Sequence, residues 1–406
     1  MEQLLHYVWK HRLFPLEPLT TTDGEPVEVL DPGLWNHDAG PDFFNAKVRI
    51  GGEMWVGNVE IHQRSSHWLQ HGHQADEAYE NVVLHVVGEA DQPVTTPAGR
   101  PLPQLVLPIP AEVERNFHHL MEVEAYPPCY KIIPAIPRMK VHAWMSVLTV
   151  ERLEQKTERV AHWLEQTQSD WERTFFISIA RTLGFGVNSD AFEQWANGLQ
   201  LSQVGKHRDH LEQVEAFFLG SAGLLERASG EQSALWQREW AFLKNKFSLT
   251  EMPTAQWKYL RMRPQNFPHV RLLQLAQLYH EGRLSLSRLL EASSAEAIRT
   301  LFHEALPKLQ AASLDLMLIN AVAPILFAYG RRHANEEMAE RAFTLLESVK
   351  AEANYITRSW QHAGLEVDNA ADSQALIQLR TRYCDRKDCL RCRFGTEYLR
   401  AKSSPK

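Results

Sequence analysis

Apolar and polar residues alternate most regularly between Asp42 and His62, and the first third of the chain arranges itself around that stretch. Residues 42–50 and 54–62 each read as a strand, and Gly51-Gly52 between them is a turn signal, so the two fold back as a hairpin. A turn centred on Gly51 sets Asp42 opposite Glu60 on one face. A centre half a residue later points them to opposite faces, and a bulge at Gly57 can reset the pairing. Around the hairpin, the pattern predicts a short helix over 4–14, a strand over 27–30, a helix over 65–79, a buried strand over 82–87 and a further strand over 102–107. Residues 91–110 are rich in proline and turn formers and read as a hairpin closing this region. A helix follows over 112–124, and the prolines from Pro127 to Pro137 mark a crossing between domains.

From Val141 the spacing becomes helical. Trp144, Leu148 and Leu153 with an Arg152, Lys156 and Arg159 face give one amphipathic helix. Asp170 caps the next, which carries Trp171, Phe175, Ile179 and Leu183 and ends at Gly184-Phe185-Gly186. Further helices are predicted over 190–198, 208–219, 235–247, 271–281, 293–302, 315–329, 336–348 and 351–362, without an internal repeat. The pattern is α+β: a mixed-sheet domain over 1–125, a linker over 126–140, and an all-α domain over 141–406 that ends in a cysteine cluster.

Composition narrows the partners. Hydrophobic residues make up 44% and charged residues 23%, enough for a sizeable core. The net charge of −7 argues against a dedicated, strongly basic nucleic-acid binder but leaves room for a local patch. The first residues lack a basic region followed by an apolar run, so no secretion signal is expected. The apolar run 314–329 is interrupted by Asp315, Asn320 and Pro324 and is too short to span a bilayer. The expectation is a cytoplasmic protein without membrane attachment, its oligomeric state open.

The hairpin also carries the first candidate chemistry. Asp42 and Glu60 held close can share a hard cation, Mg2+ or Mn2+, and His62, on the same strand face as Glu60, can orient or deprotonate a bound water. Next, His71-Gly72-His73 with Asp76 can hold a transition metal, since imidazole and carboxylate suit Zn2+, Mn2+ or Fe2+, and on a helix His67 shares a face with His71. The bland alternative is that these histidines cap helices or face water, and His85 reads as structural. In the helical half, Arg261, Arg263 and Arg271 flank a proline-rich loop entering a helix and can grip phosphate; the alternative is pairing with acidic helices nearby. At the far end, Cys384, Cys389 and Cys392 follow a C-x4-C-x2-C spacing that points to metal or redox chemistry. Cys129, the one other cysteine, can complete a set of four for Zn2+ or an iron–sulfur cluster if the C-terminal segment folds back. Arg391 and Arg393 make that segment basic and able to contact a phosphate backbone.

Two resemblances follow. Pro41-Asp42 and Glu60-Ile61-His62 resemble the PD-(D/E)xK nuclease motif with His in place of Lys, and the predicted helix–strand–strand–strand–helix–strand order is the core order of that fold. The resemblance implies a metal-dependent nuclease with Asp42, Glu60 and His62 at its centre. It also implies a metal contact from the Ile61 carbonyl, Glu28 as a further acidic contributor, and nucleic acid as partner, with DNA favoured and RNA left open. The cysteine set is similar to the iron–sulfur staple of Cas4-type and AddB-type nucleases, with the distant cysteine placed after the nuclease core instead of before it. Over nearly its whole length the chain also resembles a bacterial family of unknown function (DUF2851). That likeness is carried by Gly40-Pro41-Asp42-Phe43, Gly57-Asn58-Val59-Glu60-Ile61-His62, His71-Gly72-His73, Val83-Leu84-His85-Val86-Val87, Arg263-Pro264-Gln265-Asn266-Phe267-Pro268 and the cysteine trio; it implies no activity. Two alternatives stand beside the nuclease reading: an inactive nuclease fold that binds nucleic acid or protein, and a metallohydrolase built on the histidine cluster.

Overall fold

The Gly51-Gly52 turn forms with both glycines at positive φ (59° and 93°) and pairs Ile50 with Glu53, joining β4 (Phe43–Ile50) to β5 (Glu53–Arg64). Counted straight on from that pair, Asp42 would face Ile61. Instead the register slips by one between Ala46↔Gly57 and Phe43↔Val59, which continues to Asp42 opposite Glu60. The extra residue is Asn45, in the left-handed region at φ 55°, a conformation asparagine tolerates better than most. The bulge that brings the two carboxylates together therefore lies at Asn45 and not at Gly57. Gly57 instead makes room for the neighbouring strand. A Cβ there would sit 2.3 Å from the Val83 side chain and 2.7 Å from the Asn81 carbonyl, so its hydrogen lets that strand approach.

The structure is a computed structural model that describes residues 1–15, 18–228, 230–304 and 309–401. The hairpin is the middle of a mixed sheet with strand order β1-β2-β4-β5-β6-β7. β1 (Leu19–Thr20), β2 (Pro26–Asp31), β4 and β5 run antiparallel, and β3 (Leu34–Trp35) pairs with β4. β6 (Val82–Glu89) and β7 (Gln104–Val106) add in parallel. β6 lies between two partners and is buried from Val82 to Val87, which explains its continuous apolar run. α1 (Glu2–Lys10) packs on β5 through an apolar stripe in which Leu4, Val8 and Trp9 are fully buried.

Two predicted elements differ. Residues 65–79 do not form one helix: α2 (His67–Gln70) stops, Gly72 turns at φ 80°, and two short turns follow, the second capped by Asp76. The closing hairpin reduces to a single Thr95–Pro101 bridge, after which the chain joins the sheet edge in parallel as β7. α3 (Ala111–Glu122) then leads to the proline-rich crossing.

The chain divides into two units, residues 1–136 with 381–406 and residues 137–380. The segment after residue 380, expected with the helical domain, returns to the first unit. Its helix Arg393–Leu399 packs on α3, where Asn116 Nδ2 donates to the carbonyls of Tyr398 (3.0 Å), Leu399 (3.3 Å) and Ala401 (3.2 Å).

The second unit is helical. α4 (Arg138–Gln166) is followed by α5 (Trp171–Leu183), whose N-terminus is capped as predicted by Asp170 accepting from the Arg173 amide at 3.0 Å. The helix expected over 315–329 runs from Ala311 to Arg332 and contains a π turn at Leu318–Val322, just before Pro324. By length and composition this one run could cross a membrane. In this structure 67% of its most apolar window is buried within the protein, so helix packing accounts for its apolarity.

Candidate metal centre

Period-two alternation puts Glu60 and His62 on one face of β5, and the bulge adds Asp42 from the neighbouring strand end. The carboxylates are locked reciprocally. The Asp42 amide donates to Glu60 Oε2 at 3.0 Å, and the Ile61 amide donates to Asp42 Oδ2 at 2.9 Å. A third group, from α1, meets the same oxygen: His6 Nε2 lies 3.1 Å from Asp42 Oδ2. Nothing within 35 residues of Asp42 signals this contact in the sequence, and sequence reasoning missed it.

Glu60 Oε1 faces the imidazoles, 3.3 Å from His73 Nε2 and 3.5 Å from His62 Nε2. His62 Nε2 also lies 3.2 Å from His71 Nδ1, and His62 Nδ1 lies 2.9 Å from His85 Nε2. The ring nitrogens that His62, His71 and His73 can offer all fall within 4.8 Å of one another. The broken helix makes this possible. Gly72 reverses the chain between His71 and His73, so both rings turn toward β5, where an unbroken helix would part them. His73 is stacked on Tyr79 with centroids 3.8 Å apart, and its buried Nε2 makes no hydrogen bond of good geometry despite its nearness to Glu60. His85, read as structural, sits beside Glu60 in the parallel ladder and closes the group from behind.

The electrostatics follow from burial. Glu60 is 5% exposed, and its pKa is raised chiefly by that burial; contact with His73 works against the shift and the charge of Asp42 works with it. Burial, with the neighbouring imidazoles next in weight, pushes His62 down to about 2, and burial takes His85 to about 3. Burial lowers His6 as well, but its hydrogen bond to Asp42 outweighs this and leaves its pKa raised. His62 and His85 are thus neutral rings with lone pairs beside one buried carboxylate.

Other predicted residues lie elsewhere. Glu28 is on the exposed face of β2 in an ion pair with Arg49. Asp76 is exposed and occupied in capping Ala78. Arg261 and Arg263 are exposed in the helical unit. Arg271 is not presented to solvent: 3% exposed, it bonds Gln274 at 2.7 Å, Asn266 and Ser313 and lies over the Phe185 ring. Its partners are amides and a hydroxyl rather than the acidic helices expected of a structural arginine.

The four cysteines all belong to the first unit, none in a disulfide. Cys129, Cys389 and Cys392 are buried and Cys384 is partly so. Burial raises the Cys129 thiol, and the charges of Cys392, Cys384 and Cys389 add to the rise, so the distant cysteine is in electrostatic reach of all three. Cys392 precedes helix Arg393–Leu399, and its amide bonds the Cys389 carbonyl at 3.3 Å. Gly395 lets this turn sit on the helix, since a Cβ there would fall 2.1 Å from the same carbonyl. Arg391 and Arg393 are exposed around it.

Among known proteins, the model of one family matches, described as a protein of unknown function (DUF2851), over residues 2–308 and 303–355. No curated protein and no solved structure matches.

Proposed function

The chain belongs to the DUF2851 family, and from the geometry of its candidate metal centre we propose that it is a metal-dependent hydrolase of phosphodiester bonds. One observation carries the reading: Glu60 joins the carboxylate pair to the imidazole cluster, with Oε2 on the Asp42 amide and Oε1 beside His73 and His62. The donor set fits a divalent transition ion, Mn2+, Zn2+ or Fe2+, better than Mg2+, which prefers oxygen. His73 Nε2 fits the same role, because it is buried and its approach to Glu60 lacks good hydrogen-bond geometry. His62, His71 and His73, whose ring nitrogens converge, would hold the ion, with Glu60 beside two of them. The ion would supply charge neutralisation at a phosphate and a water activated near neutral pH.

The protein's own groups do the positioning. His6 and the Ile61 amide both hold Asp42 Oδ2, which fixes that carboxylate beside Glu60. His62 stands where PD-(D/E)xK nucleases carry Lys. A buried ring held neutral cannot act as a fixed cation there, but it can offer a lone pair to an ion or to a hydrogen-bond donor. The strand order, with the acid before β4, Glu60-Ile61-His62 on β5 and a parallel β6, supports the nuclease-type assignment. The same neutral His62 favours the competing reading, an inactive fold that binds nucleic acid or protein.

The test is Glu60→Gln. With Mn2+, wild type is expected to cleave single- or double-stranded DNA, or RNA. The variant is expected to lose cleavage by roughly 100-fold or more and its ion with it, while melting near wild type. Cleavage retained by Glu60→Gln sinks the assignment. No cleavage by wild type, with nucleic acid still bound, favours the inactive scaffold.

We also infer a second, structural centre at Cys129, Cys384, Cys389 and Cys392, carrying Zn2+ or an iron–sulfur cluster. Its support is four reduced thiols in one unit, three of them buried, in a chain with four cysteines. Metal analysis of anaerobically purified protein is expected to find one zinc without colour, or iron with matching sulfide and a brown chromophore. Loss of that metal in Cys389→Ser with Cys392→Ser is the expected control, and wild type free of thiol-bound metal removes the centre.

A further inference from the structure

The helical unit contains a cavity of about 820 Å³. One wall is a stripe of α4, where Arg152, Lys156 and Arg159 recur at the spacing that aligns side chains on one helix face. Arg181 enters from α5 and Asn320 from the π turn. Arg181 is already answered by Asp190 at 2.7 Å and by Glu193. Lys156 is held differently: its Nζ donates to the Ile319 carbonyl at 3.1 Å and to Asn320 Oδ1 at 2.9 Å, both neutral.

The π turn explains why that carbonyl is available. In its wider pattern the Ala323 amide bonds Leu318, and Ile319 would look to residue 324, a proline with no N–H. The helix therefore leaves an acceptor that fixes the lysine in the cavity wall. Arg159 stands exposed at the rim.

We propose that this cavity binds a small phosphate-bearing molecule, with Lys156 and Arg159 as the groups that take its phosphates. An ammonium anchored by neutral acceptors keeps its charge available to a ligand, and a guanidinium can meet phosphate oxygens in pairs. The volume is within the range of small-molecule sites and exceeds the needs of one inorganic ion, which points to a di- or triphosphate. Burial, with Arg152 next, takes the Lys156 pKa down to about 7, and a bound anion would oppose that shift. A concave chamber favours a compact ligand over an extended nucleic-acid strand.

Calorimetric titration of the full chain with inorganic pyrophosphate tests this, with melting followed in parallel. Saturable binding and a raised midpoint are expected. Arg159→Ala should weaken binding at least tenfold, Lys156→Met should abolish it, and Arg238→Ala, outside the cavity, should leave it unchanged. If Lys156→Met does not fold, Arg159→Ala on the exposed rim carries the test. No binding by wild type overturns the proposal, as does equal binding by wild type and Arg159→Ala, which marks an adventitious ion. An oligonucleotide that binds through Arg159 and that pyrophosphate cannot displace assigns the surface to a strand and also overturns it. No arm depends on the Glu60 centre or on activity.

Discussion

Single residues decide the chemistry here through their partners. Asp42, Glu60, His62, His71 and His73 stood out in the sequence because acid-x-His and His-Gly-His patterns are short-range. His6 did not, because its partner Asp42 is 36 positions away and only the packing of α1 joins them. Replacing His6 with Ala should loosen the Asp42 carboxylate and slow the proposed Mn2+-dependent cleavage by roughly tenfold to a hundredfold, as loss of an orienting partner does; unchanged rates would make His6 a packing residue only. Lys156 was legible as one of a polar stripe, but its inward turn was not. It faces Arg152 and, more weakly, Glu352. Its folded pKa of about 7 lies below the unfolded value, so between the two the unfolded chain holds the extra proton and stability rises with pH. The gap in stability between wild type and Lys156→Met should therefore change steadily from pH 7 toward pH 10 in favour of wild type. Denaturant unfolding at several pH values measures this, and a constant gap would place the ammonium in a water-like setting.

Elements were legible where periodicity was strong and failed where one residue overrides it. The hairpin, the buried β6 and the Asp170-capped helix follow directly from alternation, apolar run and cap. The register of β4 could not be read, because it turns on a backbone conformation at Asn45 that most residues adopt only at a cost of about 1–2 kcal/mol. Asn45→Gly should keep the bulge and the proposed metal binding. Asn45→Val should lose about that much stability and impair metal binding, since an unbulged strand turns Asp42 away from Glu60. Equal metal affinity in both variants would show that the bulge is dispensable. Helix 65–79 failed for a related reason: Gly72 permits the reversal that gathers the imidazoles.

At the scale of the whole molecule, pattern located the change from sheet to helices but not the chain's return to its first unit. That return depends on contacts such as Asn116 to the carbonyls of residues 398, 399 and 401, nearly 300 positions away, which no local signal encodes. Residues 137–380 expressed alone should melt cooperatively. Residues 1–136 alone should not, because Phe394, Tyr398 and Leu399, each buried in the first unit, are then missing. Joining 381–401 to 1–136 by a flexible linker should restore a cooperative transition; cooperative melting of 1–136 alone would make the return segment an accessory.

The discontinuous first unit has a consequence for biosynthesis. At about 5–20 residues per second, a ribosome takes roughly 10–50 s to make residues 137–380, and the helical unit can fold while it emerges. Over that interval the sheet waits without its closing helix. Tyr7 of α1, the neighbour of His6, faces Thr396 and Arg400 of the late segment. The helix that steadies Asp42 thus receives its support only from residues translated after the helical unit. A nascent chain would hold the carboxylates and imidazoles in an open, unfinished sheet, and a chain stopped before residue 393 would lack a settled site.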